Sequence, residues 1–411
     1  MRLASSLCVF LALGTSAWAD ETWPQFRGPK GDGHSDATGI PLTWSETKNV
    51  AWKTEIPGEG WSSPVVAGNQ IWMTTATVEG RSLRAIMVDR TTGRVVHNVE
   101  IFRRDMPIEK HATNSFASPT PILDGQRVYL HFGTMGTACL DTRTAEVVWQ
   151  NQELQWDHQV GPGASPTLFE NLLLLNCDGT DVQFAAALDK RTGQVVWKTD
   201  RSGVIDKPKD QKKSFVTPLV IQVEGRDVAI MTGAEWVYAY EPRTGQELWN
   251  VKHPGFSVAP RSVYGHGLLY VCTGYMLPEL YAIRPVGTGA LPVENVVWKT
   301  DKSVPSKPSP LLIGDELYII SDSGIVTCFD GKTGKQHWRQ RLGGNFSASP
   351  IYVEGRIYCQ DEAGRTVVFA PGKKYEQLAE NPLDGRFMAS PAVAGKELYL
   401  RTDKHLYRIE E

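Results

Sequence analysis

The chain has 411 residues, of which 41% are hydrophobic and 22% charged, with a formal net charge of −3. That is an ordinary globular balance, and it excludes a disordered acidic tail and a basic surface built to grip a nucleic-acid backbone. No apolar run approaches the roughly 20 residues that span a bilayer.

The first element is read as a secretory signal peptide over residues 1–19. Arg2 is its positive end, Leu7 to Leu13 its apolar stretch, and Ala17-Trp18-Ala19 a small-x-small cleavage site before Asp20. Cys8 lies inside the apolar stretch and not after it, so no lipid anchor is expected. The implied destination is the periplasm or the exterior. Residues 20–48 follow as an N-terminal extension. The remaining cysteines, Cys139, Cys177, Cys272, Cys328 and Cys359, stand singly in apolar stretches without a CxxC. They read as buried, unpaired small hydrophobes.

From residue 49 the chain repeats. A proline preceded by a small residue and followed by an apolar run recurs at Pro64, Pro119, Pro166, Pro218, Pro260, Pro310, Pro350 and Pro391. A second element runs Ala187-Leu188-Asp189, Thr192-Gly193, Trp197, and returns at Ala239 to Trp249 and Cys328 to Trp338. Cys139 to Trp149 and Ala282 to Trp298 are variants; the copy at Asp89 ends in His97, and the one near Phe369 is degenerate. Each period carries four strand signals. In the third copy these are Thr167-Leu168 behind a strand-opening proline, Leu172 to Cys177, Phe184 to Leu188, and Val195 to Lys198. Four short strands per repeat predict an all-β, eight-bladed propeller over residues 49–411. The last blade ends at its third strand. Asn49 to Thr54 nearly duplicates Asn295 to Thr300, so the N-terminal strand is expected to close the ring. Each indole is expected to lie over a neighbouring blade's Thr-Gly turn and to donate its N–H there.

The Ala-x-Asp…Gly…Trp spacing resembles the tryptophan-docking repeat of pyrroloquinoline quinone (PQQ) propellers, over about residues 49–411. Trp23-Pro24-Gln25-Phe26-Arg27-Gly28-Pro29 resembles the start of secreted PQQ-like repeat proteins of planctomycete-type bacteria. The resemblance implies one of two roles. One is that of quinoprotein alcohol or sugar dehydrogenases, using PQQ with calcium. The other is non-enzymatic, as in the outer-membrane assembly factor BamB. The dehydrogenases are similar in carrying an adjacent Cys–Cys pair, which this sequence lacks, and it holds no CxxCH, HExxH, GxSxG or phosphate-loop motif. No catalytic residue, metal ligand or cofactor is therefore expected.

The candidate site is a ring of aromatics three or four residues before the prolines: Trp61, Phe116, Phe215, Phe256, Phe346 and Phe387. These are placed at one mouth of the axial channel, where they would grip a planar ligand or a partner's apolar side chains, or else plug the gaps between blades. His111, Asn114, Asp157, His158, Arg261, Lys307 and Arg386 are the polar candidates on neighbouring loops. Inserts at about 98–115 and 200–214 are expected to rise over the same face. The reading is a secreted or periplasmic binding or scaffold propeller whose partner is an envelope or extracellular protein, a peptide or a glycan. The alternatives are a quinoprotein-like dehydrogenase or quinone sensor, and a BamB-like assembly component.

Overall fold

A computed structural model describes residues 22–411; the expected signal peptide lies outside them. Short β-branched and apolar runs, cut by Gly and Asp turns, form eight sheets of four consecutive strands. Blades 1 to 8 hold residues 65–103, 122–151, 167–200, 219–252, 263–300, 311–341, 351–382 and 392–409, the last completed by 50–55. Val50 pairs with Ile409 and Glu55 with His405 in antiparallel register, so the ring closes as the duplicated sequence predicted. Two blades gain a fifth strand: Gly289–Ala290 runs parallel to the outer strand of blade 4, and His34–Ser35 parallel to the inner strand of blade 7. No helix of the described residues is long and apolar enough to cross a membrane.

The indoles pack as the repeat requires. Trp149, Trp197 and Trp298 donate their ring N–H to the carbonyls of Lys190, Pro242 and Gly331 in the next blade's turn, at 3.0, 3.0 and 2.8 Å. The turn glycine beneath has to be glycine: Gly245 has φ +73°, and an added Cβ would sit 2.4 Å from the Trp197 ring. The small residue at the start of the repeat element serves the same packing. Ala187 and Cys328 lie directly across the strand pair from Trp197 and Trp338, leaving the indole free to lean outward onto the neighbour. Trp197 is 8% exposed, so Trp197→Ala should cost about 3–5 kcal/mol in a urea titration; a loss under about 1 kcal/mol would contradict the docking role. The five described cysteines are free and buried.

The proline register departs from the sequence reading in two blades. The inner strand of blade 2 opens behind Pro121, not Pro119, because Ser118-Pro119-Thr120-Pro121 offers the pattern twice. In blade 5 it opens behind Ser262, two residues after Pro260. Part of the first insert is also regular, since the outer strand of blade 1 runs Val95–Arg103.

The N-terminal extension is a strap across one end of the channel. Trp23 exchanges backbone hydrogen bonds with Val66 in blade 1, and Leu123 N–H of blade 2 donates to the Pro24 carbonyl. Arg27 Nη2 reaches the Pro310 carbonyl in blade 6 at 2.8 Å, and Tyr352 N–H of blade 7 donates to Gly33. The strap then leaves between blades 7 and 8. There the Glu354 carboxylate accepts Gly39 and Ile40 N–H, and Trp44 stacks on Tyr358 at 6.2 Å.

Candidate functional site

The last three residues leading into each inner strand run on from it, so alternate residues there face opposite sides. Taking the strand-opening position as Pro64, Pro121, Pro166, Pro218, Ser262, Pro310, Pro350 and Pro391, the residue three before it faces the axis in every blade. These are Trp61, Ser118, Gly163, Phe215, Ala259, Lys307, Ser347 and Met388, and all line one cavity of about 750 Å³. Phe26 of the strap lines it too, and the strap bonds to the inner strands beyond their opening positions, at Val66, Leu123 and Tyr352. The cavity is therefore a cup, open at the face where the inner strands begin and floored by the strap.

The same parity sorts four of the six aromatic candidates; Phe256 and Phe116 escape it, because the chain turns at Phe116-Ala117 and takes a positive φ at Ser257. Trp61 and Phe215 lie on the cavity wall, as does Phe256, which meets Tyr275 edge-on at 6.0 Å. Phe346 and Phe387, four residues before their prolines, point the other way; both are fully buried in the apolar clusters between blades. Phe116 precedes Pro121 by five residues and lies against the Gly80 turn of blade 1, with Lys110 Nζ 5.3 Å over its ring.

The polar candidates divide similarly. His111, Asn114 and Lys307 line the cavity. Asn114 braces its loop, donating to the carbonyls of Val160 and Pro162 at 2.9 and 3.2 Å. Lys307 Nζ pairs with Glu362 at 3.0 Å, and exposed Arg386 reaches the same carboxylate at 3.3 Å. Asp157 is not on the wall; it accepts Gln159 N–H and the Thr180 hydroxyl. His158 is buried behind Gly163 and Phe215, where its Nε2 accepts Thr134 N–H at 2.9 Å, and burial pushes it down to about 4. Arg261 is buried under the floor, donating to the carbonyls of Gly31 and Pro218 at 2.9 Å each.

The sequence reading missed a hydroxyl belt one residue before the strand-opening position. Ser63, Thr120, Ser165 and Thr217 hand backbone N–H bonds from blade to blade, each N–H donating to the next hydroxyl at 2.9–3.1 Å. Ser309, Ser349 and Ser390 continue the series back to Ser63, again at 2.9–3.1 Å. Arg261 holds the eighth place; its own N–H donates to Ser309 Oγ, and the series breaks between Thr217 and Arg261. The signal was present as the Ser or Thr before seven of the prolines, Pro64, Pro121, Pro166, Pro218, Pro310, Pro350 and Pro391. Phe26, Lys213, Tyr275 and Met276 were missed as well, and all four line the cavity. Burial lowers Lys213 and raises Asp322, whose Oδ1 accepts N–H from Ser306 and Lys307 at 3.0 and 3.1 Å. No group of three potential metal-ligating side chains occurs among the described residues.

The profile of a repeat family described as "Outer membrane protein assembly factor BamB" matches residues 42–155, 109–217, 181–286 and 233–374. The windows overlap because each takes in more than two blades of the same repeat. The chain belongs to this BamB-type PQQ-repeat family. BamB of Bordetella pertussis is 21% identical over 294 residues, spanning 67% of this chain and 68% of its own. BamB of Burkholderia pseudomallei is 31% identical over 94 residues, spanning 23% of this chain and 24% of its own. Among solved structures, BamB from Moraxella catarrhalis superposes with a TM-score of 0.60 at 13% identity, covering 88% of this chain and 99% of that one. The quinohemoprotein alcohol dehydrogenase of Comamonas testosteroni superposes with a TM-score of 0.69 at 11% identity, covering 96% and 81%. At such identities the two structures share the fold of the BamB-type family, and the site has to be argued from its own residues.

Proposed function

We propose that this chain is a binding propeller of the bacterial envelope that holds a protein partner at the open mouth of the axial cup and does no chemistry on it. The observation that carries this reading is the rim. Tyr275, Met276 and Leu277 are 56, 65 and 73% exposed in one turn of blade 5, and the first two continue inward as cavity wall beside Phe256. An apolar patch that runs from solvent into an aromatic-walled concavity marks an interaction surface. The envelope setting rests on the reading of residues 1–19 and on relatives that are outer-membrane assembly factors. A BamB-like place in such an assembly is the finer form of the same reading.

The dehydrogenase alternative fits the cup less well. Calcium takes several converging oxygen ligands, whereas Asp210 and Asp322 stand on different blades and Lys213 and Lys307 are both committed, to Gln159 and Glu362. The test is photo-crosslinking in envelope extracts, with the reactive side chain at position 276 and a control at Lys332 on the opposite face. A discrete protein adduct from 276 alone is expected; adducts from both positions, or from neither, would refute the reading.

A further inference from the structure

The base of the cup is rich in hydrogen-bond donors and poor in acceptors. The belt hydroxyls of Ser63, Thr120, Ser165, Thr217 and Ser390 each spend an oxygen lone pair on a neighbouring N–H, which leaves the O–H proton to be donated into the cavity they line. Directly behind this belt lie two buried guanidiniums. Arg27 and Arg261 are 1 and 2% exposed and spend their bonded N–H groups on main-chain carbonyls, not on carboxylates. Arg27 Nε and Nη1 and Arg261 Nε are buried without a hydrogen-bond partner. A third, Arg401, is 3% exposed and donates to the carbonyls of Ser62 and Thr74 beside the belt.

Guanidinium does not give up its proton at neutral pH, and a buried charge without a counter-charge is costly. Asp32 is the acid whose charge reaches both Arg27 and Arg261, and it offsets one of the two. On the wall, Lys307 is balanced by Glu362, while Asp210 and Asp322 face the cavity higher up, level with Lys213 and Lys307. A positive potential therefore remains beneath a ring of neutral O–H donors, under walls of Trp61, Phe215, Phe256 and Tyr275.

The geometry points to a carboxylate-binding base: the cup takes a ligand that ends in a free carboxylate and carries an apolar or aromatic body. The carboxylate oxygens accept from the belt hydroxyls in the field of the buried arginines, and the body stacks on the aromatic wall. Charge-assisted bonds of this kind are the strong ones, and capture of a chain-terminal carboxylate by converging donors is a known mode of peptide recognition. This inference rests on the proposed cup-face reading and gives it a chemistry. Two sources share that chemistry, the C-terminus of a partner chain and a free aromatic acid.

The experiment is calorimetry on the full mature protein with matched probes: N-acetyl-Gly-Gly-Phe against its C-terminal amide, and 3-phenylpropanoate against 3-phenylpropanamide. The acid of at least one pair should bind roughly tenfold to a hundredfold tighter than its amide. A preference confined to the peptide pair assigns the ligand to a chain terminus, and one seen equally with phenylpropanoate assigns it to free acids. Ser165→Ala with Thr217→Val should remove about tenfold from the acid and leave the amide unchanged, whereas Trp61→Ala should weaken both. Equal binding of acid and amide, or binding of neither at millimolar concentration, overturns the inference. The crosslinking at position 276 decides the cup-face reading separately, since it does not depend on what the base recognises. The acid-to-amide ratio is read on the unmutated protein, so it stands even if a belt variant folds poorly.

Discussion

Deleting Val50–Glu55 is expected to destabilise the whole ring by at least about 5 kcal/mol, not to fray one blade. The strand pairs with His405–Ile409 along its length, and its Trp52 lies over the Gly93 turn of blade 1, donating to the Arg90 carbonyl at 3.0 Å. It is thus both the outer strand of blade 8 and the contact that joins blade 8 to blade 1. Loss of one Trp anchor alone is worth about 3–5 kcal/mol, and the deletion also bares a sheet edge. In a closed ring each blade is held from two sides; opened, the end blades keep one neighbour each, and unfolding can enter from either. Urea unfolding followed by circular dichroism should show the midpoint of the entire transition falling. A small early transition with the main one unmoved would show instead that blade 8 frays alone. The design has an internal rescue. Glu410 N–H donates to the Asn49 carbonyl at 3.0 Å, so the C-terminus already lies beside the start of the closing strand. Appending residues 49–55 after Glu411 through a two-residue hairpin turn should restore the midpoint, because the register demands an antiparallel return.

The fold was legible because its devices are local in sequence. Thr192-Gly193 and Trp197 lie within one hairpin, and the identity of the turn glycine follows from a backbone that must hold φ +73° beneath an indole. The closing strand was legible because Asn49 to Thr54 duplicates a strand elsewhere in the chain. The cup was half legible. Aromatics before the prolines were visible, but a shift of one residue turns a side chain from the axis into the blade interface. Thus Phe215 faces the cavity while Phe346 and Phe387 do not. The doubled Ser-Pro-Thr-Pro of blade 2 and the serine at the proline place of blade 5 hid the register on which that parity depends. The strap was not legible at all. It has no periodicity, and many of its bonds run to main-chain carbonyls and N–H groups of distant blades, such as those of Pro310 and Tyr352, which leave no mark in side-chain pattern. Arg261 was singled out as a ligand-facing loop residue for want of that knowledge; its side chain turns under the floor because the carbonyls of Phe26 and Gly31 are there to receive it.

Mild acid is expected to cost the protein several kilocalories per mole before the carboxylates that are held low by their partners begin to protonate. Three histidines are buried in the neutral form: His131 is pushed down to about 3, and His158 and His253 to about 4, in each case chiefly by burial. In the unfolded chain each returns to the ordinary value near 6.5. Below that value the unfolded state binds protons that the folded state refuses, so stability falls with pH. The contribution is intact above about pH 6.5 and is drawn down as pH approaches 4. Three sites over about two pH units set an upper limit of roughly 8 kcal/mol; local opening and water entry reduce it, and a loss of about 3–6 kcal/mol between about pH 7 and 4.5 is expected. The sites are not wholly independent. His131 stacks on Trp156 at 6.1 Å and His158 meets the same indole edge-on at 5.1 Å, so protonating one makes protonating the other harder. His253 lies apart, with Gly255 N–H donating to its Nδ1 at 3.1 Å. Neighbouring charges act more weakly than burial: Asp157 and Asp181 favour the charged form of His158, and Lys207 opposes that of His253. Carboxylates held low by their partners, such as Asp141 at about 2, lose their contribution only at lower pH, whereas Asp178 and Asp322, raised by burial, take up protons in the folded state first and offset part of the histidine loss. Urea titrations across this range measure the slope directly, and His158→Gln, which keeps an acceptor for Thr134 N–H, should reduce it by about a third. A stability that stays level from about pH 7 to 5 and breaks only below about 4 would mean that the histidines reach water in the native state and that the interior behind Phe215 is wet.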